Sequence, residues 1–261
     1  MTQGNALRQV VPQPQSAAVY SIAPRPAARA VMEPRCANCC MRSVCLPCRL
    51  DDAELEKFDD LVCTTRRVAR GQTLYRAGDK FEMLYAVHSG SFKSACASRH
   101  GAEKITGFHF PGELMGMEAI SRLEHNYDAI ALEDSEVCVL PFAALEAAAR
   151  RMPELQRQLL RVLSGDISRD QGLMLMLGGM SAEQRLAAFL LSLSRRYGHM
   201  GYDPERFVLR MTREEIGNYL GLSTETVSRL FSQMARDGLL GVNQREVELK
   251  ESEALMELVG Y

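Results

Sequence analysis

The spacing of apolar positions changes along this chain, and each change predicts an element. From Pro153 to about Leu177, Leu160, Leu163, Ile167, Asp170, Met174 and Leu177 recur at steps of 3, 4, 3, 4 and 3, the seam of a coiled coil on one long helix. Ser181–Arg196 continues with a helical period, Ser181 as its cap and Leu186, Phe189, Leu190 and Leu193 facing inward. From Thr212 to Leu240 the pattern predicts two short helices joined by a tight turn. Thr212 and Glu215 form a capping box, Ile216 and Leu220 share a face, and Gly221 stops the helix. Ser223 caps the next helix, whose stripe Val227, Leu230, Phe231, Met234 runs i, i+3, i+4, i+7. Gly217 falls where the two helices cross. Leu239, Leu240 and Val242, then Val247 and Leu249, flank Asn243–Glu246 as a small hairpin or wing.

Between Val62 and Phe142 the texture differs, with short β-branched and aromatic runs separated by glycines. Thr73–Arg76, Leu84–His88, Ser91–Ala97, Ile105–Phe110 and Val137–Leu140 are candidate strands, and they predict a sandwich, barrel or roll of roughly 80 residues. Cys63 and Cys96 within it are expected to act as small buried hydrophobes. Leu50–Leu61 is a short amphipathic helix ahead of the strands.

The helical pair at 212–240 has the layout of a helix-turn-helix, whose second helix enters the major groove and reads bases from its N-terminal end. Its polar face carries Thr224, Glu225, Ser228, Arg229 and Ser232. Glutamate accepts from cytosine N4, arginine bridges guanine O6 and N7, and serine adapts to either. The plainer alternative is a solvated helical hairpin with Glu225–Arg229 as a surface ion pair. Charge adds little: the net value over 261 residues is −2, so DNA contact must come from local arginines rather than a global field. No apolar run approaches the roughly 18 residues of a membrane span. Residues 1–34 lack a signal-peptide core and read as a flexible arm, which points to a cytoplasmic protein. Asp170 is the flaw in the seam. In a parallel homodimer it approaches its own mate, where two carboxylates repel and lose solvation. Either it sits hydrated on the rim, or the dimer is deliberately marginal so that another event decides whether it forms.

Five of the eight cysteines lie between Cys36 and Cys48: Cys36, Cys39, Cys40, Cys45 and Cys48. In an intracellular protein such density points to metal more than to disulfides. Three readings stand on spacing alone. One is zinc on Cys36, Cys39, Cys45 and Cys48, with unusually close knuckles; another is a redox dithiol, without the strand–helix context that chemistry uses. The third is an iron–sulfur cluster with three ligands here and one elsewhere.

This order of cysteine segment, roll, seam helix and helix-turn-helix resembles the CRP/FNR superfamily of bacterial transcription regulators, in particular its iron–sulfur-binding FNR branch. The likeness runs from about Cys36 to Gly260. It is carried by ITGFHFPGEL (105–114), RLAAFLLSLSRR (185–196) and MTREEIGNYLGLSTETVSRL (211–230). The resemblance implies an α+β fold with an N-terminal β-roll (double-stranded β-helix, jelly-roll type) sensor domain, a long dimerisation helix and a C-terminal winged helix-turn-helix. Its boundaries are an arm at 1–34, a cysteine-rich cluster-binding segment at 35–49, the roll at 50–152, the dimerisation helix at 153–179 and the DNA-binding domain at 180–261. The family's C-x2-C-x5-C ligands map to Cys36, Cys39 and Cys45. Its fourth maps to Cys138 in SEVCVLPF, leaving Cys40 and Cys48 extra to the pattern. One [4Fe–4S] cluster per subunit, formed without oxygen, is then expected to favour a homodimer on promoter DNA of the TTGAT-N4-ATCAA type. Oxygen returns an inactive monomer. The base-reading residues map to Glu225, Ser228 and Arg229. The superfamily's other branch binds cyclic AMP through a Gly-Glu and an Arg-Ser pair. The first corresponds to Gly112-Glu113 and the second falls on Tyr127-Asp128, so no cyclic nucleotide is expected.

Two other classes compete with this reading. One is a CRP-like regulator sensing a small molecule or zinc, with structural cysteines. The other is an enzyme, for which no nucleophile–base constellation is present; His88, His100, His109, His125 and His199 are scattered and read as surface or roll positions. Contact with RNA polymerase is expected from the roll, at Ser98–Glu103 or near Gly116–Asn126.

Overall fold

Eight short strands form the N-terminal body, and every pairing between them is antiparallel. They are β1 (Thr64–Val68), β2 (Thr73–Tyr75), β3 (Met83–Ser89), β4 (Phe92–Ala97), β5 (Glu103–His109), β6 (Leu114–Met115), β7 (Asp128–Ala131) and β8 (Ser135–Pro141). They build two four-stranded sheets, in the orders β1-β8-β3-β6 and β2-β7-β4-β5. The computed structural model describes residues 35–61, 64–97 and 103–260. The expectations for 1–34, Cys63 and most of the Ser98–Glu103 loop lie outside those residues. The two sheets enclose a jelly-roll core in which Leu74, Val87, Phe92, Ala129 and Val137 are buried. Along β8, Ser135 and Val137 are buried two apart and Leu140 three further on, and along β5 Ile105 and Phe108 are buried three apart, so the two-residue period of a strand slips once in each, in β5 where its pairing register with β4 shifts.

Ahead of the roll lies α1 (Asp52–Asp59). Its Asp51 cap accepts from the Glu54 N–H at 2.8 Å, and Glu54 answers to the Asp51 N–H. After it come α2 (Phe142–Ala149), α3 (Pro153–Gly179) and α4 (Ala182–His199). Pro153 opens α3, where its missing N–H costs nothing. The C-terminal unit then runs β9 (Arg206–Val208), α5 (Arg213–Leu220), α6 (Thr224–Arg236), β10 (Leu240–Asn243), β11 (Glu246–Leu249) and α7 (Ser252–Val259). Strands β10, β11 and β9 form a three-stranded wing. The fold is thus the β-roll, long helix and winged helix-turn-helix that the sequence predicts. Among the described residues no helix is long and apolar enough to cross a membrane.

Several elements were not legible in the pattern: β1, β6, β7, β9, α2 and α7. β1 is an edge strand that pairs only with β8, and Arg66 and Arg67 on it are exposed, so no apolar alternation marks it.

Two cores matter for function. The first joins the cysteine segment, α1, the roll and the root of α3. Leu46, Leu50, Phe58, Leu84, Ala86, Leu140, Leu145, Met152 and Leu155 are buried together, with Cys36, Cys45, Cys138, Leu159 and Leu163 packed at the edge. The second joins the helix-turn-helix and α4 to the roll face that holds Ile105, Phe108 and Phe110.

Candidate metal centre and DNA-reading helix

From Cys36 to Cys48 the backbone runs in successive turns, with the Cys45 N–H donating to Met41 O at 2.9 Å and the Cys48 N–H to Cys45 O at 3.0 Å. The segment is held down by Met41, Leu46 and Leu50, all buried, and by the Cys36 N–H, which donates to Asp59 Oδ1 at 2.6 Å. Val44 sits over Gly112. A Cβ at that glycine would stand 2.6 Å from Val44 Cγ2, so any other residue there would push the segment off the roll.

This docking brings Cys36, Cys39 and Cys45 to β3 and β8. Cys138 lies opposite Thr65 on one side and Ala86 on the other, in the middle of its sheet. The four cysteines, with Ala86, His88, Phe58 and Leu140, line one cavity of about 20 Å3, room for about one water. Burial pushes the Cys45 thiol up to about 12 and Cys138 to about 11, and it raises Cys36 and Cys39 as well; the neighbouring sulfurs add to each shift. Four half-buried thiols that repel one another as thiolates are a donor set in want of a cation.

The structure places the extra cysteines elsewhere. Cys48 turns toward α3 and accepts from Gln158 Nε2 at 3.2 Å, so the zinc reading that needed Cys48 is short of a ligand. Cys40 is exposed beside the cavity. Among the described residues the one trio of metal-binding side chains with all ligand atoms within 4.8 Å of one another is Cys39, Cys40 and His88. The cavity cysteines are therefore set wider than the sulfurs of a single tetrahedral zinc, which lie about 3.8 Å apart at a bond length of about 2.3 Å. Four cysteines on one cavity are a soft donor set of the kind that holds an iron–sulfur cluster, the group the resemblance implies.

Cys96, expected to be a buried hydrophobe, is half-buried and donates to Lys104 O at 3.7 Å. His88 was passed over as an ordinary roll position. β3 carries an irregularity here: Val87 pairs with Val137 and Ser89 with Glu136, which leaves His88 as the extra residue of a bulge. The bulge aims His88 at the cysteines, and spacing in the sequence gave no sign of it.

The seam residues do not all face one way. Leu160, Ile167 and Met174 are 59%, 57% and 66% exposed, and Asp170 is exposed with them. Leu163 packs at the edge of the first core, and Leu177 packs near Gly221. Leu175, which the period did not single out, is also exposed.

In the helix-turn-helix the predicted caps are present. The Glu215 N–H donates to Thr212 Oγ1 at 3.1 Å, and the Thr226 N–H to Ser223 Oγ at 3.2 Å. Gly221 adopts φ +68°, the left-handed conformation that ends α5. Gly217 has no space for a side chain, since its Cβ would stand 2.6 Å from Leu222 O. Val227, Leu230, Phe231 and Met234 are buried, which turns Thr224, Glu225, Ser228, Arg229 and Ser232 to solvent. Among the described residues no ion pair joins Glu225 to Arg229. The Glu225 backbone N–H and, after it, the Ser223 N-cap hydroxyl hold the Glu225 carboxyl below its usual range. The reading face is thus turned to solvent and not closed off by a Glu225–Arg229 ion pair.

This unit is tied to the roll. Asn218 of α5 treats edge strand β5 as a ladder partner: its Oδ1 accepts from the Ile105 N–H at 2.8 Å and its Nδ2 donates to Glu103 O at 2.7 Å. Lys93 pairs with Glu215 at 3.2 Å. Glu113, half of the pair matched to the cyclic-nucleotide pocket, is held instead by Arg196 of α4, with Nε to Oε1 at 2.9 Å. Burial opposes its ionisation, but Arg196 and Arg169 outweigh burial and hold it below the usual range. A cavity of about 240 Å3 between the roll and α3 is lined by Ser94, Thr106, His109, Tyr127, Asp166 and Asp170 among others, while Asp128 accepts from the Ala77 N–H at 2.8 Å.

With the fold and both sites in view, the comparisons agree. Residues 65–152 match the cyclic nucleotide-binding domain model and 184–258 the Crp-like helix-turn-helix domain model. The chain belongs to the CRP/FNR family of transcription regulators, a family of DNA-binding regulators and not of enzymes. It is 47% identical over 225 residues to the "Transcriptional regulatory protein btr" of Bordetella pertussis, covering 86% of this chain and 93% of that one. It is 42% identical over 226 residues to the "Fumarate and nitrate reduction regulatory protein" of Escherichia coli K12, covering 87% and 90%. Among solved structures it resembles FixK2 of Bradyrhizobium japonicum, with TM-score 0.70 and 32% identity over 76% of this chain and 98% of that one.

Proposed function

We propose that this regulator responds to oxygen, acting in the cytoplasm as a cluster-dependent homodimer on a TTGAT-N4-ATCAA-like palindrome, one half-site per protomer. The observation that supports it most is the convergence of Cys36, Cys39, Cys45 and Cys138 on one cavity that shares its core with the root of α3. These four residues would hold a [4Fe–4S] cluster. When bound, the cluster supplies an oxygen-labile junction between the cysteine segment and β8.

The chain's own residues do the rest. Leu46 and Leu50 press on the core that contains Leu155, and Gln158 of α3 donates to Cys48, so seating the segment steadies the first turns of α3. The exposed seam of Leu160, Ile167 and Met174 then meets its mate, with Asp170 keeping that association marginal. Pairing sets two α6 helices for two half-sites, where Glu225, Ser228 and Arg229, flanked by Thr224, read base edges. Tyr127 and Asp128 stand where the cyclic-nucleotide branch carries its Arg-Ser pair, and the two arginines that line the roll cavity, Arg169 and Arg196, are already paired with Asp166 and Glu113, so a cyclic phosphate finds no uncommitted cation there. RNA polymerase is met by the roll surface around Gly116–Asn126, where Leu123 is exposed.

The test is sedimentation and mobility shift on the palindrome, on protein prepared without oxygen and again after exposure to air. Dimer and specific complex without oxygen, and monomer with neither property in air, are expected. Equal dimerisation and DNA affinity in both would overturn the proposal.

A further inference from the structure

We propose that Cys39, Cys40 and His88 form a second, mononuclear site for a thiophilic divalent ion, of the Zn2+ class, distinct from the four-cysteine set and sharing only Cys39 with it. The three ligand atoms lie within 4.8 Å of one another, the spacing of ligands around one ion. Two features show that the site is built. His88 is the extra residue of the β3 bulge, the device by which strands re-aim a side chain. Its Nδ1 is buried without a hydrogen-bond partner, with Glu136 Oε2 at 3.4 Å. A metal-bound histidine characteristically gives its other ring N–H to a carboxylate, and Glu136 stands close enough to take that bond from Nδ1 if the ion draws on Nε2. Cys40, which the four-cysteine set does not use, thereby acquires a role.

The chemistry balances without a redox step. As the ion binds, Cys39 and Cys40 each release a proton to solvent, and two thiolates with a neutral imidazole leave a divalent ion electrically neutral. Three protein ligands leave the fourth tetrahedral position to water. Because Cys39 belongs to both sets, ion and cluster exclude each other. The ion would hold the cysteine segment when the cluster is gone, and rebuilding the cluster would require its displacement.

The test is a titration with Co2+, the spectroscopic stand-in for Zn2+, of the iron-free full chain under reducing conditions. The expected result is one Co2+ per chain with the intense visible bands of tetrahedral thiolate coordination. Cys40→Ser, at an exposed position that leaves the fold intact, and His88→Ala should each weaken binding by more than an outer-sphere change does, whereas Glu136→Gln should weaken it by roughly 10–100-fold. Cys138→Ser should keep the bands. Absence of tetrahedral bands overturns the site, and so does their loss in Cys138→Ser with retention in Cys40→Ser. Iron and sulfide uptake, measured on a separate anaerobic sample, reports on the proposed cluster alone, so failure there leaves the cobalt result standing.

Discussion

Replacing Asp170 with alanine is expected to produce a dimer that survives air. Leu160, Ile167 and Met174 are 59%, 57% and 66% exposed on one protomer. Burying what remains of each side chain is worth about 1–2 kcal/mol, or about 6–12 kcal/mol for the six in a dimer. Association itself costs about 4–15 kcal/mol. The apolar gain and the cost of association are therefore close, and a small electrostatic contribution decides the balance. Two Asp170 carboxylates at about 4–6 Å repel by about 3–4 kcal/mol at an effective dielectric of 20, or about 2–3 kcal/mol once discounted for the solvent these exposed groups retain. Removing that repulsion tightens dimerisation by about 30- to 150-fold. Sedimentation in air over a concentration series measures it directly. An Asp170→Ala chain that dissociates at the same concentration as the parent would refute the reasoning, because the seam would then not bring these carboxylates together.

Further expectations follow from other parts of the molecule. Arg229→Ala or Glu225→Ala should cost about 1–3 kcal/mol of DNA binding and relax preference at one base of each half-site, as read by competition with single-base variants. Asn218→Ala removes the acceptor of the Ile105 N–H and the donor to Glu103 O, and should lower stability to urea by about 1–3 kcal/mol. His109 is depressed to about 4 by burial, so the unfolded chain binds its proton first as pH falls. Its contribution is whole above about pH 6.5 and is lost toward pH 4. Asp166, raised by burial to about 6, acts in the opposite sense, since its protonated native form gains on the unfolded chain below pH 6. His109→Gln should therefore remove up to about 2 kcal/mol of the stability lost between pH 7 and pH 5, measured by urea unfolding at both.

What could be read from the sequence is what is encoded locally. Thr212 with Glu215, Ser223 as the second cap, and the Val227–Met234 stripe specify caps and faces within a few residues, and the helix-turn-helix follows from them. The roll was visible as a class but not strand by strand. β1 is solvated and carries two exposed arginines, and β7 (DAIA) is too short to show a period. Cys138 lies ninety-three residues beyond Cys45, and only the pairing of β8 with β3 brings it to the segment, so no spacing rule reaches it; the family resemblance did. His88 was beyond even that, because it depends on one extra residue in a strand register. The seam pattern placed six residues on one stripe, yet α3 also lies against its own roll, which draws Leu163 inward and leaves Leu175 out.

The most direct test of the central claim is iron and acid-labile sulfide per chain, on protein purified strictly without oxygen, for the parent and for Cys138→Ser. About four of each are expected in the parent and a sharp loss in the variant. About one zinc with no sulfide in the parent would contradict it: the family and the DNA-reading helix would stand, and oxygen sensing through these cysteines would not.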